Sequence, residues 1–379
     1  MAPFKSTGGF SVGKLLGVFR NRDLTLNSSV RTNRFKLPEI KASGGTIIPS
    51  AESGNGYVYH VFLNPNSDNF NANYPFTADI LIVAGGGGGS ISYYAGGGGA
   101  GGAVYGPNIS ITAATYPITV GTGGGNGGTT PAHGEQGTNS SFNSVTSIGG
   151  GAGAGGNQPY TPVLSGGSAG GSHGYSPATA GGPTWITKVP QPVPGSYTAY
   201  GNNGGASAPY AGGGGGGAGS VGGDVRFFGP PTSYYYGGVG GDGRAFPAFP
   251  GPIIAPAIPT NNIADAPFRA GGPGPLTERA AFTSVVGPTG LYAGGGGGGL
   301  YYIYGPDPIA NGGSKPAGGT GGGADGAGPP YPETPVDPTK GPARNAVNHT
   351  GGGGGGGNYG VGSEGTSGAS GIVIVRYLA

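Results

Sequence analysis

The chain has 379 residues, of which 95 are glycine and 36 are proline, and only 8% are charged, for a formal net charge of +2. So much aperiodic glycine and proline argues against an ordinary enzyme fold, and so few charges leave no conventional surface of Lys, Glu, Arg and Asp. The 22 tyrosines and 14 phenylalanines argue equally against a solvated disordered chain, and unbroken runs such as 212–217 and 351–357 exclude the every-third-residue glycine of collagen. No cysteine is present, so neither a disulfide framework nor a thiolate metal site is expected.

The N-terminal segment differs from the rest. Residues 1–41 carry eight basic side chains against Asp23 and Glu39, whereas the remainder is net acidic. Ser11–Phe19 is read as a short helix or an extended arm, and so short a segment cannot build its own core. We read 1–42 as a basic docking arm, with Lys5, Lys14, Leu15, Leu16, Phe19, Arg20, Arg22, Arg31 and Arg34 as its contact residues. Lys14 and Arg20 interrupt the apolar stretch after Phe10, which argues against a secretory leader. No stretch approaches the roughly 20 apolar residues of a membrane-spanning helix.

Short β-like runs follow. Gly56–Leu63 and Ala78–Ala84 read as strands, Ile109–Thr112 and Tyr116–Val120 as two strands paired around a turn, and Ser141–Thr146 as one more. The only comparable apolar run afterwards is Gly371–Tyr377, and its expected partner is Ile80–Ala84. The glycine-rich region between them is then a closed excursion rather than a tail. We place a β-rich domain at 43–150, a polyglycine-rod domain at 151–370 and a closing strand at 371–379.

Within the excursion a block recurs at irregular intervals, as in Tyr94-Ala95 before 96–99, Tyr210-Ala211 before 212–217 and Tyr292-Ala293 before 294–299. Irregular spacing argues for rods joined by loops of free length rather than for a solenoid. The intervening segments, including 175–203, 224–236, 244–276, 300–311 and 329–350, concentrate Pro, Tyr and Phe and hold the only Trp. Ordering 95 glycine backbones costs on the order of 100 to 190 kcal/mol, and no side chain offsets it. Threefold extended rods of about 3.1 Å per residue can meet that demand, because with no Cβ they can hydrogen-bond laterally to several neighbours.

Motifs that resemble chemical sites are weak. The run from Gly8 to Lys14 matches a phosphate-binding loop, but Leu15 stands where the motif needs Ser or Thr and no apolar strand precedes it. His60, His133, His173 and His349 are dispersed, without carboxylates at ligand spacing. No catalytic residue, metal, cofactor or nucleic-acid partner is expected, nor is insertion into a membrane.

The ordered series Ala78–Ala84 followed by glycines 85–89, then Tyr116–Gly121, Asn139–Phe142 and Ser370–Tyr377 resembles the glycine-rich domain of bacteriophage tail-fibre and adhesin proteins. Residues 1–37 resemble attachment segments on structural proteins of marine cyanobacterial phages. The resemblance implies a mainly β and irregular fold with almost no α-helix: a small β domain plus a glycine-rich sandwich of packed polyglycine II helices with aromatic loops. It also implies a fibre or tip protein at the virion surface, assembled in the host cytoplasm. Residues 1–41 would dock to other virion proteins, in a homo-oligomer with a trimer favoured, and the loops would recognise a host glycan or outer-membrane protein. The residues expected to meet that receptor are Tyr93, Tyr94, Trp185, Tyr197, Tyr200, Phe227, Phe228, Tyr234, Tyr235, Tyr236, Tyr301, Tyr302, Tyr304 and Tyr331. A capsid or tail decoration subunit with a purely structural role stays open beside this reading.

Overall fold

The computed structural model describes residues 40–63, 65, 68–128, 132–156, 164–174, 186–228, 234–262, 277–300, 315–328, 343, 345–358 and 365–379, apart from the side chains of 228 and 234. The docking residues between Lys5 and Arg34 lie outside them. The chain divides into two units between Lys41 and Ala42.

In chain order the strands are β1 (Ala42–Ser43), β2 (Thr46–Ile48), β3 (Tyr57–Phe62), β4 (Asp68–Ala72), β5 (Phe76–Val83), β6 (Ala103–Ile111), β7 (Thr115–Thr119), β8 (Ser140–Phe142), β9 (Val145–Ser147), β10 (Thr198–Tyr200), β11 (Arg226–Phe228), β12 (Tyr234–Tyr236), β13 (Arg244–Ala245), β14 (Leu291–Tyr292) and β15 (Ile372–Leu378). Helices are few and short: α1 (Ser50–Ser53), α2 (Gly251–Ile254) and α3 (Glu278–Val286). The fold is mainly β-sheet and irregular.

A six-stranded sheet runs β10-β6-β5-β15-β3-β2, and a five-stranded sheet runs β1-β4-β7-β8-β9. β15 lies between β5 and β3, antiparallel to both, with Ile80 opposite Val375 and Val83 opposite Ile372. The pairing expected of the last strand is therefore present. Alternation sorts its side chains between two cores. Val373, Val375 and Tyr377 join Ile80, Ile82, Phe70, Ile118 and Phe142 between the sheets. Ile372 and Ile374 join Leu81, Val83 and Tyr59 on the other face, beneath Phe249, Ile254, Phe282, Val286 and Tyr292.

Three expectations need correction. Ile109–Thr112 and Tyr116–Val120 do not pair: β6 belongs to the six-stranded sheet and β7 to the five-stranded one. Ile111 and Ile118 enter the same core, so the chain between them turns the corner of the sandwich instead of closing a hairpin. The segments 175–203 and 244–276 are not wholly loop. The first contributes β10 as a sheet edge, and the second supplies Phe246, Phe249 and α2 to the core. The boundary at 150 does not divide the packing either, because residues on both sides of it belong to one compact unit from Ala42 to Ala379.

The glycine runs continue the sheet. Residues 85–90 extend from β5, residues 96–102 lead into β6, and residues 365–371 lead into β15. Along 85–90 every third amide returns to the same neighbour. Gly85 and Gly88 donate to Thr138 and Glu135, Gly86 and Gly89 to Ala369 and Thr366, and Gly87 and Ser90 to Gly99 and Gly96, at 2.8–3.3 Å. Such bonding requires three residues per turn with donors projecting sideways, the geometry of a polyproline II helix. The rod at 96–101 is surrounded by six others: its amides donate to 151–154, 213–216 and 351–354, and carbonyls of 95–100 accept from 87–90, 168–171 and 296–299. The runs 212–218 and 294–300 follow the same threefold rule. The rods thus form a hexagonal stack in which the backbone groups that burial would strand are paired with one another.

Close approach makes the side-chain-free residue obligatory. A Cβ built on Gly98 would fall on the Gly87 carbonyl, 2.7 Å from its carbon, and one on Gly215 would fall on the Gly98 carbonyl. Alanine occurs in the rods where a methyl has somewhere to go, as at Ala100, Ala218 and Ala293, which reach the apolar core.

Candidate functional site at the rod ends

The stack has two ends. One merges with the sheets; at the other the chain turns at 91–94 and 207–211. That second end is fastened by the bridge between Ala211 and Leu300, by the Gly174 amide donating to the Tyr94 carbonyl at 3.1 Å, and by Asn358 Nδ2 donating to the carbonyls of Leu300 and Gly328 at 2.9 and 3.0 Å. From these anchors the sequence runs on into 175–185, 301–314, 329–342 and 359–364.

Five aromatic rings form a continuous strip across this end. Successive centroids lie 6.1 Å apart from Tyr93 to Tyr94, 5.7 Å from Tyr94 to Tyr210, 5.7 Å from Tyr210 to Tyr235 and 4.7 Å from Tyr235 to Phe227. They come from three places in the sequence, namely the 91–94 turn, the 207–211 turn and the β11–β12 ribbon, whose register sets Phe227 opposite Tyr235. Tyr93 and Phe227, at the two ends, are 42% and 53% exposed; the three rings between them are half-buried. Burial and the neighbouring Tyr210 push the Tyr235 phenol up, so it stays neutral.

A histidine backs the strip, with a second close behind it. His173 lies 6.0 Å from the Tyr94 ring, and its Nε2 is 2.9 Å from Ser92 Oγ. Burial, with a smaller effect from His133, lowers its pKa to about 4. His133 Nδ1 accepts the Gly155 amide at 2.9 Å. Tyr210 holds φ at +72°, a backbone conformation that bulky residues avoid.

Of the residues expected to bind a receptor, Tyr93, Tyr94, Phe227 and Tyr235 are brought together here. Tyr236 is half-buried at the base of the same ribbon, which also carries Phe228 and Tyr234 in its backbone pairing. Trp185, Tyr301, Tyr302, Tyr304 and Tyr331 lie outside the described residues. Tyr197 and Tyr200 are placed elsewhere, because their segment is a sheet edge. Tyr197 packs against the inter-sheet core, and burial pushes its phenol up to about 12. Tyr200 lies against Phe246 at 5.7 Å with the Arg244 guanidinium 4.6 Å above its ring. Tyr210 is not among the residues expected from sequence to meet a receptor, although it opens one of the recurrent glycine blocks, and His173 is read there only as one of four dispersed histidines.

The other histidines are structural. His60 is buried, with Nδ1 2.8 Å from the Gly44 carbonyl and Nε2 3.1 Å from the Tyr377 hydroxyl, and desolvation lowers its pKa. At the sheet end Ser370 Oγ lies 3.2 Å from His349 Nδ1, and His349 Nε2 lies 3.2 Å from Glu278 Oε1. The order resembles an acyl-transfer relay. Here, however, Ser370 Oγ accepts the amide of His349 itself at 3.1 Å, and Glu278 also accepts from Asn348 Nδ2 at 3.1 Å. The cluster fastens the start of α3 to the 348–350 turn and holds His349 at φ +63°.

The fold therefore defines a class: a β-sandwich whose strands continue into a hexagonal stack of glycine rods, ending in an aromatic face. Residues 67–378 match the glycine-rich domain family, and the chain belongs to it. No curated protein matches the sequence.

Proposed function

We propose that this chain is a virion structural protein, a fibre or tip adhesin that attaches a phage to the surface of its host. The observation that carries this reading is the aromatic strip at the end of the rod stack, which brings together residues far apart in sequence on a frame fastened by backbone hydrogen bonds. Rings of this kind supply large contact area with few rotatable bonds, so little entropy is lost on binding. The rods are built largely of glycine backbone, which suits a support for a contact surface better than an enclosed reaction site. The basic segment 1–41 fits the docking arm of such a protein, and a homo-oligomer, with a trimer favoured, would present several strips at once.

The test uses the purified full chain, fluorescently labelled, on a panel of cyanobacterial and other bacterial strains. Saturable binding to some strains, competition with phage adsorption on those strains, and weaker binding by Phe227→Ala are expected. Absence of both binding and competition across the panel would remove the adhesin role. If Phe227→Ala particles then assemble poorly yet adsorb normally once assembled, the chain is a decoration subunit.

A further inference from the structure

We propose that the aromatic strip recognises an uncharged oligosaccharide, laid along the rings from Tyr93 to Phe227, rather than a protein loop. This inference rests on the binding role proposed above and specifies its ligand.

Area argues for the small ligand. With 42% of Tyr93 and 53% of Phe227 exposed and the three inner rings half-buried, the strip offers no more than about 400 Å² of ring surface, taking roughly 200 Å² for each aromatic side chain. A standard protein interface needs about 800 Å² from each partner. A saccharide of a few units needs much less, and its form suits a narrow row of rings. Successive ring planes are inclined by 36° to 81°, so the C–H faces of the sugars would meet the electron-rich faces of some rings and the edges of others, while their hydroxyls reach the tyrosine phenols.

Charge argues for a neutral one. Along 91–94, 207–211, 226–228 and 234–236, together with His173, the charged side chain at neutral pH is Arg226, which is exposed and, as the neighbour of Phe227 in β11, alternates to the opposite face of the ribbon. Asp224 nearby is engaged by the Ala206 amide at 2.7 Å.

The placement of Tyr210 argues for a contact role. Its φ of +72° belongs to the region where glycine is at ease. Tyr210 is the central ring of the row, with neighbours 5.7 Å away on either side. A positive φ also occurs at Ala293 and His349, where other glycine rods begin, so it is the position of the Tyr210 ring, joining Tyr94 to Tyr235, that marks it for contact.

The experiment measures binding of the full chain to cells it recognises, after protease treatment or after periodate oxidation, which cleaves vicinal diols of sugars. Polysaccharide purified from the same cells and split by anion exchange into neutral and acidic fractions serves as the competitor. Binding should survive protease, fall at least tenfold after periodate and be inhibited by the neutral fraction. Phe227→Ala should weaken it by roughly five- to tenfold, and Tyr210→Gly should do so while keeping the unfolding midpoint of the parent, since glycine relieves the strain. Loss after protease with retention after periodate would overturn the saccharide assignment and leave the adhesin role standing. Inhibition by the acidic fraction alone would overturn neutrality. Failure to bind any untreated cell would instead remove the adhesin role itself.

Discussion

Replacing Gly98 by alanine adds one methyl at the centre of the stack, where the hexagonal arrangement leaves no space. The Gly98 amide donates to Gly354 at 2.7 Å, its carbonyl accepts from Gly296 at 2.9 Å, and the adjoining bond from Gly87 to Gly99 measures 2.8 Å. The new Cβ would lie 2.7 Å from the Gly87 carbonyl carbon and 2.9 Å from that of Gly88, so the rod at 85–90 must move outward by roughly 1 Å for ordinary contact. The bonds tying that rod to its neighbours, from Gly87 to Gly99, Ser90 to Gly96 and Gly354 to Gly87, are then stretched or broken, at about 1 to 2 kcal/mol each. Alanine in place of glycine returns about 0.4 to 1 kcal/mol by restricting the unfolded chain. The clash wins, and a net loss of about 2 to 5 kcal/mol is expected, a large share of the stability of a typical domain. The control is Gly195→Ala, at a position where a Cβ meets nothing within 4 Å, and it should be neutral or slightly stabilising. Denaturant unfolding followed by intrinsic tyrosine fluorescence compares both with the parent. A Gly98→Ala protein within about 1 kcal/mol of the parent would refute the close-packed stack.

Acid should weaken the fold. His173 has a folded pKa of about 4 against an unfolded value of 6.5, so the unfolded chain takes up the proton first. Its contribution is complete above pH 6.5 and is lost as pH falls towards 4, amounting to about 3 kcal/mol. His60 shifts in the same direction, and denaturant midpoints at pH 7 and pH 4.5 measure the difference, which His173→Gln should reduce. Arg376 donates through Nε and Nη2 to Asp79 Oδ2 at 2.9 and 2.8 Å and covers the Tyr57 ring at 4.3 Å. Arg376→Met leaves Asp79 without that partner and should cost about 2 to 3 kcal/mol in thermal or denaturant unfolding. Phe227→Ala, at a ring 53% exposed, should change stability by no more than about 0.5 kcal/mol, so that its loss of cell binding reads out contact and not folding.

Much of the frame was readable because glycine and β-branched residues each permit so little. Val83 followed by 85–89, and 371 followed by Ile372–Val375, mark strands passing into rods, and their pairing follows from the lack of other apolar partners. Which rod lies beside which was not readable, since 96–101 and 212–217 are chemically almost identical and their order is set by loop lengths and turns. α3 is hard to read from sequence because Glu278–Val286 follows a proline-rich stretch and its helical signal is short; Thr277 capping the Ala280 amide at 3.2 Å is the local cue. At the candidate site, tyrosine content pointed to the loops. It could not separate Tyr200, which closes a core, from Tyr94, which lies in the strip, because that difference depends on which end of a rod a residue reaches.

Glycine runs carry no side chains that could encode their own alignment, so register is held by the residues that bracket them, such as Tyr94-Ala95 and Ala100 around 96–99, or Tyr210-Ala211 and Ala218 around 212–217. With bonding that repeats every third residue, a change of run length is read modulo three. Inserting three glycines would lengthen a rod and leave each bracketing residue facing the same neighbour. Inserting one would turn everything beyond it by a third of a revolution, or expel a residue into the adjoining turn. Natural variation in such chains should therefore fall freely in the loops and in steps of three within the rods.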